Sequence, residues 1–152
     1  MIPLGSTDMT LSRMGLGTWA IGGGPAWNGD LDLQICIDTI VEAHRCGINL
    51  IDTAPGYNFG NSEVIVGQAL EQLPRREVVV ETKCGIVWER TGSLFNKVGD
   101  RQLYKNLTPE SIREEVEASL QRLGIDTIDI YMTHWQSVEP CFTPIAETVA
   151  TL

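Results

Sequence analysis

Histidine is scarce in this sequence, two residues in 152, and four cysteines are present without a single Cys-x-x-Cys pair. That supply of ligands is too thin for an ordinary zinc site, and no metal is expected. Positive charge is short as well. Eleven Lys and Arg stand against 20 Asp and Glu, a formal net charge of −9. An acidic chain has no basic face for sequence-independent binding to nucleic acid and is repelled by an anionic lipid surface. No apolar run comes near the roughly 20 residues of a membrane span. The opening MIPLGSTDMT has neither the basic nor the apolar region of a secretory leader. Cys36, Cys46, Cys84 and Cys141 read as reduced thiols in a cytoplasmic setting, Cys36 and Cys46 as small core residues. What the chain does have is a 43% hydrophobic fraction with no run of like charge, enough for one folded domain.

The pattern along the chain alternates. Residues 1–13 read as a hairpin, IPLG and TLSRM around the turn-forming STD, followed by a short strand at Met14–Gly17. From Asp32, the spacing of Leu33, Cys36, Ile37, Ile40, Val41 and His44 predicts an amphipathic helix, with Gly47 as its left-handed stop. INLI is the second strand. Asn61 or Ser62 is expected to cap the next helix, which Val64, Ile65, Gln68 and Ala69 continue. EVVVETK is the third strand, its valine run suited to a sheet covered on both faces. Residues 84–107 show no clear period and read as a long irregular loop. Thr108-Pro109 starts a helix with Ile112, Val116, Ser119, Leu120 and Leu123 as its core face and Gly124 as its end. TIDIYMTHW is the fourth strand, and PIAETVATL begins a last helix. Strand-helix alternation of this kind means parallel strands and right-handed crossovers. An eightfold barrel needs about 250 residues. The expected fold is therefore α/β, the N-terminal half of a (β/α)8 TIM barrel. It comprises four βα units, the last truncated, in one partial barrel domain over 1–152, with the hairpin at its start. Open sheet edges and an uncovered interior make self-association through the half-barrel edges an expectation too.

Strand ends carry the chemistry. Asp52 closes the second strand, Lys83 the third and His134 the fourth, and Tyr57 lies in the loop just after the second. A lysine or histidine alone at such a position is ordinary. In a parallel barrel, however, these positions gather at one rim, the face where such enzymes work. The set suits carbonyl reduction. Hydride arriving at a carbonyl carbon builds charge on its oxygen, and a phenol can donate the proton that quenches it. A free phenol titrates near pH 10. A neighbouring ammonium favours its ionised form, a carboxylate holds that ammonium, and an imidazole can orient the carbonyl oxygen.

GLGTW at 15–19, IDTAPGYNFGNSE at 51–63, VVVETKCG at 78–85 and IDIYMTHW at 128–135 together resemble the aldo-keto reductase family. In detail they resemble bacterial members that reduce small aldehydes and 2-oxoaldehydes such as methylglyoxal. The resemblance implies a reductase using NADPH or NADH. Tyr57 would be the general acid, Lys83 the cation that eases its proton release, Asp52 the counter-ion of the lysine and His134 the orienter of the substrate. It also implies that Gly17, Thr18, Trp19 and Asp52 meet the nicotinamide end of the cofactor. Trp19, Trp88 and Trp135 would form an aromatic mouth for a small carbonyl substrate beside Tyr57 and His134. In the family, the phosphates and adenosine of the cofactor and the choice between NADH and NADPH fall to loops after the later strands, beyond Leu152. The isolated chain is accordingly expected to turn over weakly or not at all. The run AIGGGPAWNG at 20–29 is a rim loop and no dinucleotide fingerprint, because no helix opens on it directly after a strand. The alternative to an enzyme is a non-catalytic regulatory or partner subunit related to the same family. A metal-dependent barrel hydrolase is the weaker rival, since His44 falls on a helix far from the rim.

Overall fold

A computed structural model of the chain describes residues 1–29, 31–88 and 90–152. Strands β1 (Ile2–Pro3) and β2 (Thr10–Leu11) form the expected antiparallel hairpin, Ile2 opposite Leu11. Asn49 ties it to the body. Its side chain accepts from the Ser12 amide at 2.7 Å and donates to the Thr10 carbonyl at 2.9 Å. The chain continues through β3 (Gly15–Gly17), α1 (Leu33–Arg45), β4 (Leu50–Asp52), α2 (Asn61–Leu70), β5 (Val79–Cys84), β6 (Ile86–Val87), β7 (Ser93–Val98), β8 (Arg101–Lys105), α3 (Pro109–Leu123), β9 (Ile130–Thr133) and α4 (Ile145–Thr151).

Strands β3, β4, β5 and β9 make one parallel sheet in that order, with Leu16 beside Ile51, Ile51 beside Val80 and Lys83 beside Met132. Successive side chains of a strand alternate between faces. Ile51, Val80 and Thr82 fall on the helix side and are buried there, with Val78 just ahead of β5. They meet Cys36, Ile37, Ile40 and Val41 of α1, Ile65, Val66 and Ala69 of α2 and Leu123 of α3 in the main core. Burying an aliphatic side chain of this size contributes roughly 1.5–3 kcal/mol, so this layer carries the fold. Asp52, Glu81, Lys83 and Met132 fall on the opposite, inner face. The half barrel expected from the alternation is present as this sheet with its helices on one side.

The helix ends are set by local chemistry. Asp32 caps α1 by accepting from the Ile35 amide at 3.0 Å, and Gly47 follows at φ +90° as the predicted stop. Thr108 caps α3, Pro109 opens it and Gly124 ends it at φ +64°.

Four expectations need correction. The cap of α2 is Gly60 at φ +86°, with no side-chain cap bond. Asn61 instead donates to the Gly22 carbonyl at 2.9 Å, and the Ser62 hydroxyl turns into the core, so both are already engaged elsewhere. Val64 is exposed, because α2 is flanked by α1 and α3 and leaves only a narrow outward stripe, while Val66 takes the core position. Cys46 is exposed at the end of α1, whereas Cys36 is buried as expected. Within the segment 84–107, expected as an irregular loop, β6, β8 and β7 form a three-stranded antiparallel sheet in that order. Val98 pairs with Arg101 across a Gly99-Asp100 turn, Gly99 having φ +59°. The register shifts between Leu94 and Asn96, which breaks the alternation a strand would otherwise show.

Candidate active site

Asp52 lies opposite Glu81 in the β4–β5 register, two residues short of Lys83 on the same face. That diagonal brings the carboxylate to the ammonium. Lys83 Nζ donates to Asp52 Oδ1, to the Thr53 carbonyl at 2.9 Å and to the Tyr57 hydroxyl at 3.1 Å. The lysine is 9% exposed, a charge kept inside the protein by its partners. Burial and then the Asp52 charge push the Glu81 carboxyl up, with Lys83 partly opposing.

Hydroxyls fix the end of β4. Thr18, Thr53 and Ser62 are all fully buried. Thr18 Oγ1 donates to the Asp52 carbonyl at 2.8 Å, Ser62 Oγ donates to the Thr18 carbonyl at 2.9 Å, and Thr53 Oγ1 lies 3.0 Å from Ser62 Oγ. The Thr18 amide donates to the same Asp52 carbonyl at 2.9 Å. All polar atoms of Thr18 are thus turned inward, and Gly17 and Trp19, both exposed, are the residues of that turn open to a ligand.

Tyr57 rides on a strained loop. Asn58 and Phe59 have φ of +51° and +54° and Gly60 has +86°. For residues other than glycine this region costs roughly 1–2 kcal/mol each. The surroundings hold it. Asn58 Nδ2 donates to the Gly22 carbonyl at 2.9 Å, and the Arg101 guanidinium lies 3.6 Å from the Phe59 ring centroid. Such strain concentrates at functional sites.

His134 is placed by the sheet. Its amide donates to the Cys84 carbonyl at 2.8 Å, one step beyond the β5–β9 register. Its ring stands edge-on to that of Tyr57, centroids 5.5 Å apart at 84°. Gly56 packs closely here: a Cβ there would press on Ile86 Cγ2 at 3.2 Å and touch His134 Cε1 at an ordinary 3.6 Å. Burial first, and the Lys83 charge second, lower the imidazole to about 4, with Asp52 opposing. At neutral pH the ring is uncharged, with one nitrogen to donate and one to accept. Nδ1 has no partner among the described residues.

The four strand-end and loop residues singled out from the sequence therefore meet. The tryptophans divide. Trp19 stacks near Tyr57, centroids 6.2 Å apart, and Trp27 packs against Trp19 at 5.2 Å. Trp88 instead meets Phe59 at 5.6 Å, and Trp135 meets Phe95 at 5.9 Å. Among the described residues the aromatic neighbours of the Tyr57 ring are Trp19 and His134, and the Lys83 ammonium lies 4.9 Å from its centroid. Three residues escaped sequence reasoning: Glu63, Arg122 and Glu115. Glu63 is fully buried, accepting from Thr82 Oγ1 and from Arg122 Nε, each at 2.6 Å. That pair ties α2 and α3 to the strand that carries Lys83. Glu115 had a readable signal, a carboxylate on the apolar stripe of α3.

A carboxylate, an ammonium, a phenol and a neutral imidazole linked in that order can deliver a proton to an oxygen bound beside them. The chain is 90% identical over 151 residues to the NADH-specific methylglyoxal reductase of Escherichia coli (strain K12), a match that covers 99% of this chain and 46% of that protein. It is 43% identical over 146 residues to an aldo-keto reductase of Bacillus subtilis (strain 168), covering 95% of this chain and 40% of the relative. Among solved structures, a glycerol dehydrogenase from Gluconobacter oxydans superposes with a TM-score of 0.78 at 40% identity, over 99% of this chain and 42% of that one. The chain thus spans less than half the length of these relatives. The model of the Aldo/keto reductase family matches residues 13–152. The chain belongs to the aldo/keto reductase family.

Proposed function

We propose that this chain supplies the proton-donating half of a nicotinamide-dependent carbonyl reductase acting on small aldehydes, methylglyoxal-like 2-oxoaldehydes first among them. One observation carries the reading: Lys83 Nζ joins Asp52 and the Tyr57 hydroxyl, with the His134 ring against the Tyr57 ring. The residues suit the nicotinamide end of the cofactor. Gly17, which pairs with Asp52, has no side chain to obstruct it, and Trp19 offers a ring that is 52% exposed beside Tyr57. NADH is the favoured cofactor, on the strength of the name of the E. coli relative. A reduced nicotinamide, when bound, supplies the hydride.

The protein groups do the rest. His134, uncharged at neutral pH, donates a hydrogen bond to the substrate oxygen and orients it. Tyr57 gives its proton to that oxygen as charge develops there. Lys83 stabilises the phenolate left behind, and Asp52 holds Lys83 in place and charged. Trp19 forms the exposed aromatic wall, while Trp88 and Trp135 border the entrance at a greater remove.

The free thiols of all four cysteines fit a cytoplasmic location. The outer sides of β3 and β9, the two ends of the parallel sheet, fit self-association of the chain, as does the exposure of Met132 on the inner face. No described helix is long and apolar enough to cross a membrane.

The test joins this chain to the remaining length of the E. coli relative and follows NADH oxidation with methylglyoxal. The hybrid should turn over, and Tyr57→Phe should lower kcat by roughly 10²–10⁴-fold while cofactor binding, read by fluorescence quenching, stays nearly unchanged. A Tyr57→Phe hybrid retaining most of the rate would remove Tyr57 from the proton-transfer step. The chain alone should show little turnover.

A further inference from the structure

The reaction uses Asp52, Tyr57, Lys83 and His134 and leaves two buried carboxylates aside: Glu63, which ties α2 and α3 to β5, and Glu115. Glu115 sits on α3 on the same stripe as Ile112, Ser119 and Leu123, all of them buried. A carboxylate in such a place needs donors. It has two: the Gly85 backbone amide, 2.8 Å from Oε2, and the Ser111 hydroxyl, 3.0 Å from Oε1.

The first of these matters most. Gly85 directly follows β5, two residues beyond Lys83, and its φ of +94° turns the chain out of the sheet. Its carbonyl accepts from the Asn106 amide at 3.2 Å, and the carbonyl just before it, that of Cys84, accepts from the His134 amide at 2.8 Å. The segment Lys83-Cys84-Gly85 is therefore a shared mount. It carries the ammonium, it hangs the imidazole from its backbone, and Glu115 grips its far end from the helix layer. A carboxyl oxygen accepts from a backbone amide whether or not the group is ionised, so at 2.8 Å this grip ties the mount to the helix layer from outside the sheet.

We infer that Glu115 is a positioning residue for the site, its carboxylate holding the Gly85 amide and thereby setting where Lys83 and His134 stand against Tyr57. The consequence for turnover rests on the reductase reading; the geometric claim does not. The charged and titratable groups facing this carboxylate are Arg122 on its own helix, Glu63 from α2, Cys84 from β5 and Tyr131 from β9. Arg122 is itself held by Glu63 at 2.6 Å.

The imidazole is a built-in reporter. With two histidines in the chain, their side-chain ¹⁵N resonances can be followed separately through a pH titration of the full chain, His44 serving as internal control. His134 should titrate near 4 in the wild type. In Glu115→Ala the mount loosens, the ring gains solvent, and its midpoint should rise by about one pH unit or more toward the ordinary value. Glu115→Gln keeps an acceptor for the Gly85 amide and should return the midpoint close to that of the wild type. An unmoved His134 midpoint in folded Glu115→Ala overturns the inference. If that variant does not fold, Glu115→Asp, which withdraws the carboxylate by one methylene, is read in the same way. In the hybrid enzyme, Glu115→Ala should lower kcat roughly tenfold with KM for NADH unchanged, and Glu115→Gln should restore it. A wild-type hybrid without turnover sinks the reductase reading and leaves the titration to decide the role of Glu115.

Discussion

Replacing Glu115 by glutamine should change how the stability of the chain depends on pH. In the unfolded chain this carboxyl ionises at its ordinary 4.5, whereas in the fold burial pushes it up to about 7, against the pull of the Gly85 and Ser111 hydrogen bonds. Between those values the folded state binds more proton than the unfolded one. The stability that Glu115 contributes is therefore fully present below about pH 4.5 and is lost as pH rises through 7. At about 1.4 kcal/mol per pH unit, the displacement is worth about 3 kcal/mol, a sizeable share of the 5–15 kcal/mol typical of a domain. His134 works in the opposite sense. Its midpoint is lowered from 6.5 to about 4, so its contribution is present above 6.5 and lost as pH falls toward 4. Over about pH 4.5 to 6.5 the two oppose each other, and these groups together should leave the wild-type profile nearly level. Glu115→Gln removes one arm and exposes the other. Urea unfolding followed by tryptophan fluorescence, at steps from pH 4.5 to 8, should show the variant gaining about 3 kcal/mol on the wild type across that range. Parallel profiles for the two proteins would show that Glu115 ionises alike in both states, and the reasoning from its burial would fail.

Other outcomes follow from the same contacts. Lys83→Met should cut kcat in the hybrid enzyme at least about a hundredfold, and it should raise the His134 midpoint, because the Lys83 charge is the second cause of its depression; a midpoint that stays near 4 would leave burial alone responsible. Gly67→Ala gains about 1 kcal/mol of helix propensity. It also sets a Cβ 2.8 Å from the Arg122 and Leu123 carbonyl oxygens, and overpacking against backbone costs about 1–3 kcal/mol or more. The clash should win, with Tm falling by several degrees, and a rise would show that α2 and α3 part easily. Two thiols, Cys46 and Cys141, should react with a disulfide reagent in the native chain. Cys36 is buried, and the buried Cys84 thiol is pushed up to about 12, so both should react only on unfolding; four fast thiols would contradict the core packing.

The parallel strands, the helices and the meeting of Asp52, Tyr57, Lys83 and His134 were legible because each rests on local signals: period, caps and the residue that ends a strand. The β6-β8-β7 sheet was harder to see. The Gly99-Asp100 turn was a usable hairpin signal, but the irregular register near Asn96 hid the alternation on one side of it. The tryptophans show a different limit. A ring marks a contact in sequence without naming its partner, and Trp88 chose Phe59 over Tyr57. The α2 cap failed for the same reason, since Asn61 and Ser62 found tertiary partners worth more than a helix end. Glu115 was visible as a polar residue among Ile112, Ser119 and Leu123, but its object was a backbone amide 30 positions away, which no periodicity encodes.

The three acceptors around Lys83 Nζ have a consequence of valence. An ammonium bears three hydrogens, and Asp52, Thr53 and Tyr57 take one each. None remains for an incoming molecule. The phenolic oxygen, already receiving a hydrogen from the lysine, keeps its own and must aim it away from the amine, toward the half-exposed ground between Trp19 and His134. Direction is thus imposed on that one mobile hydrogen by the saturation of its neighbour, before anything arrives to take it.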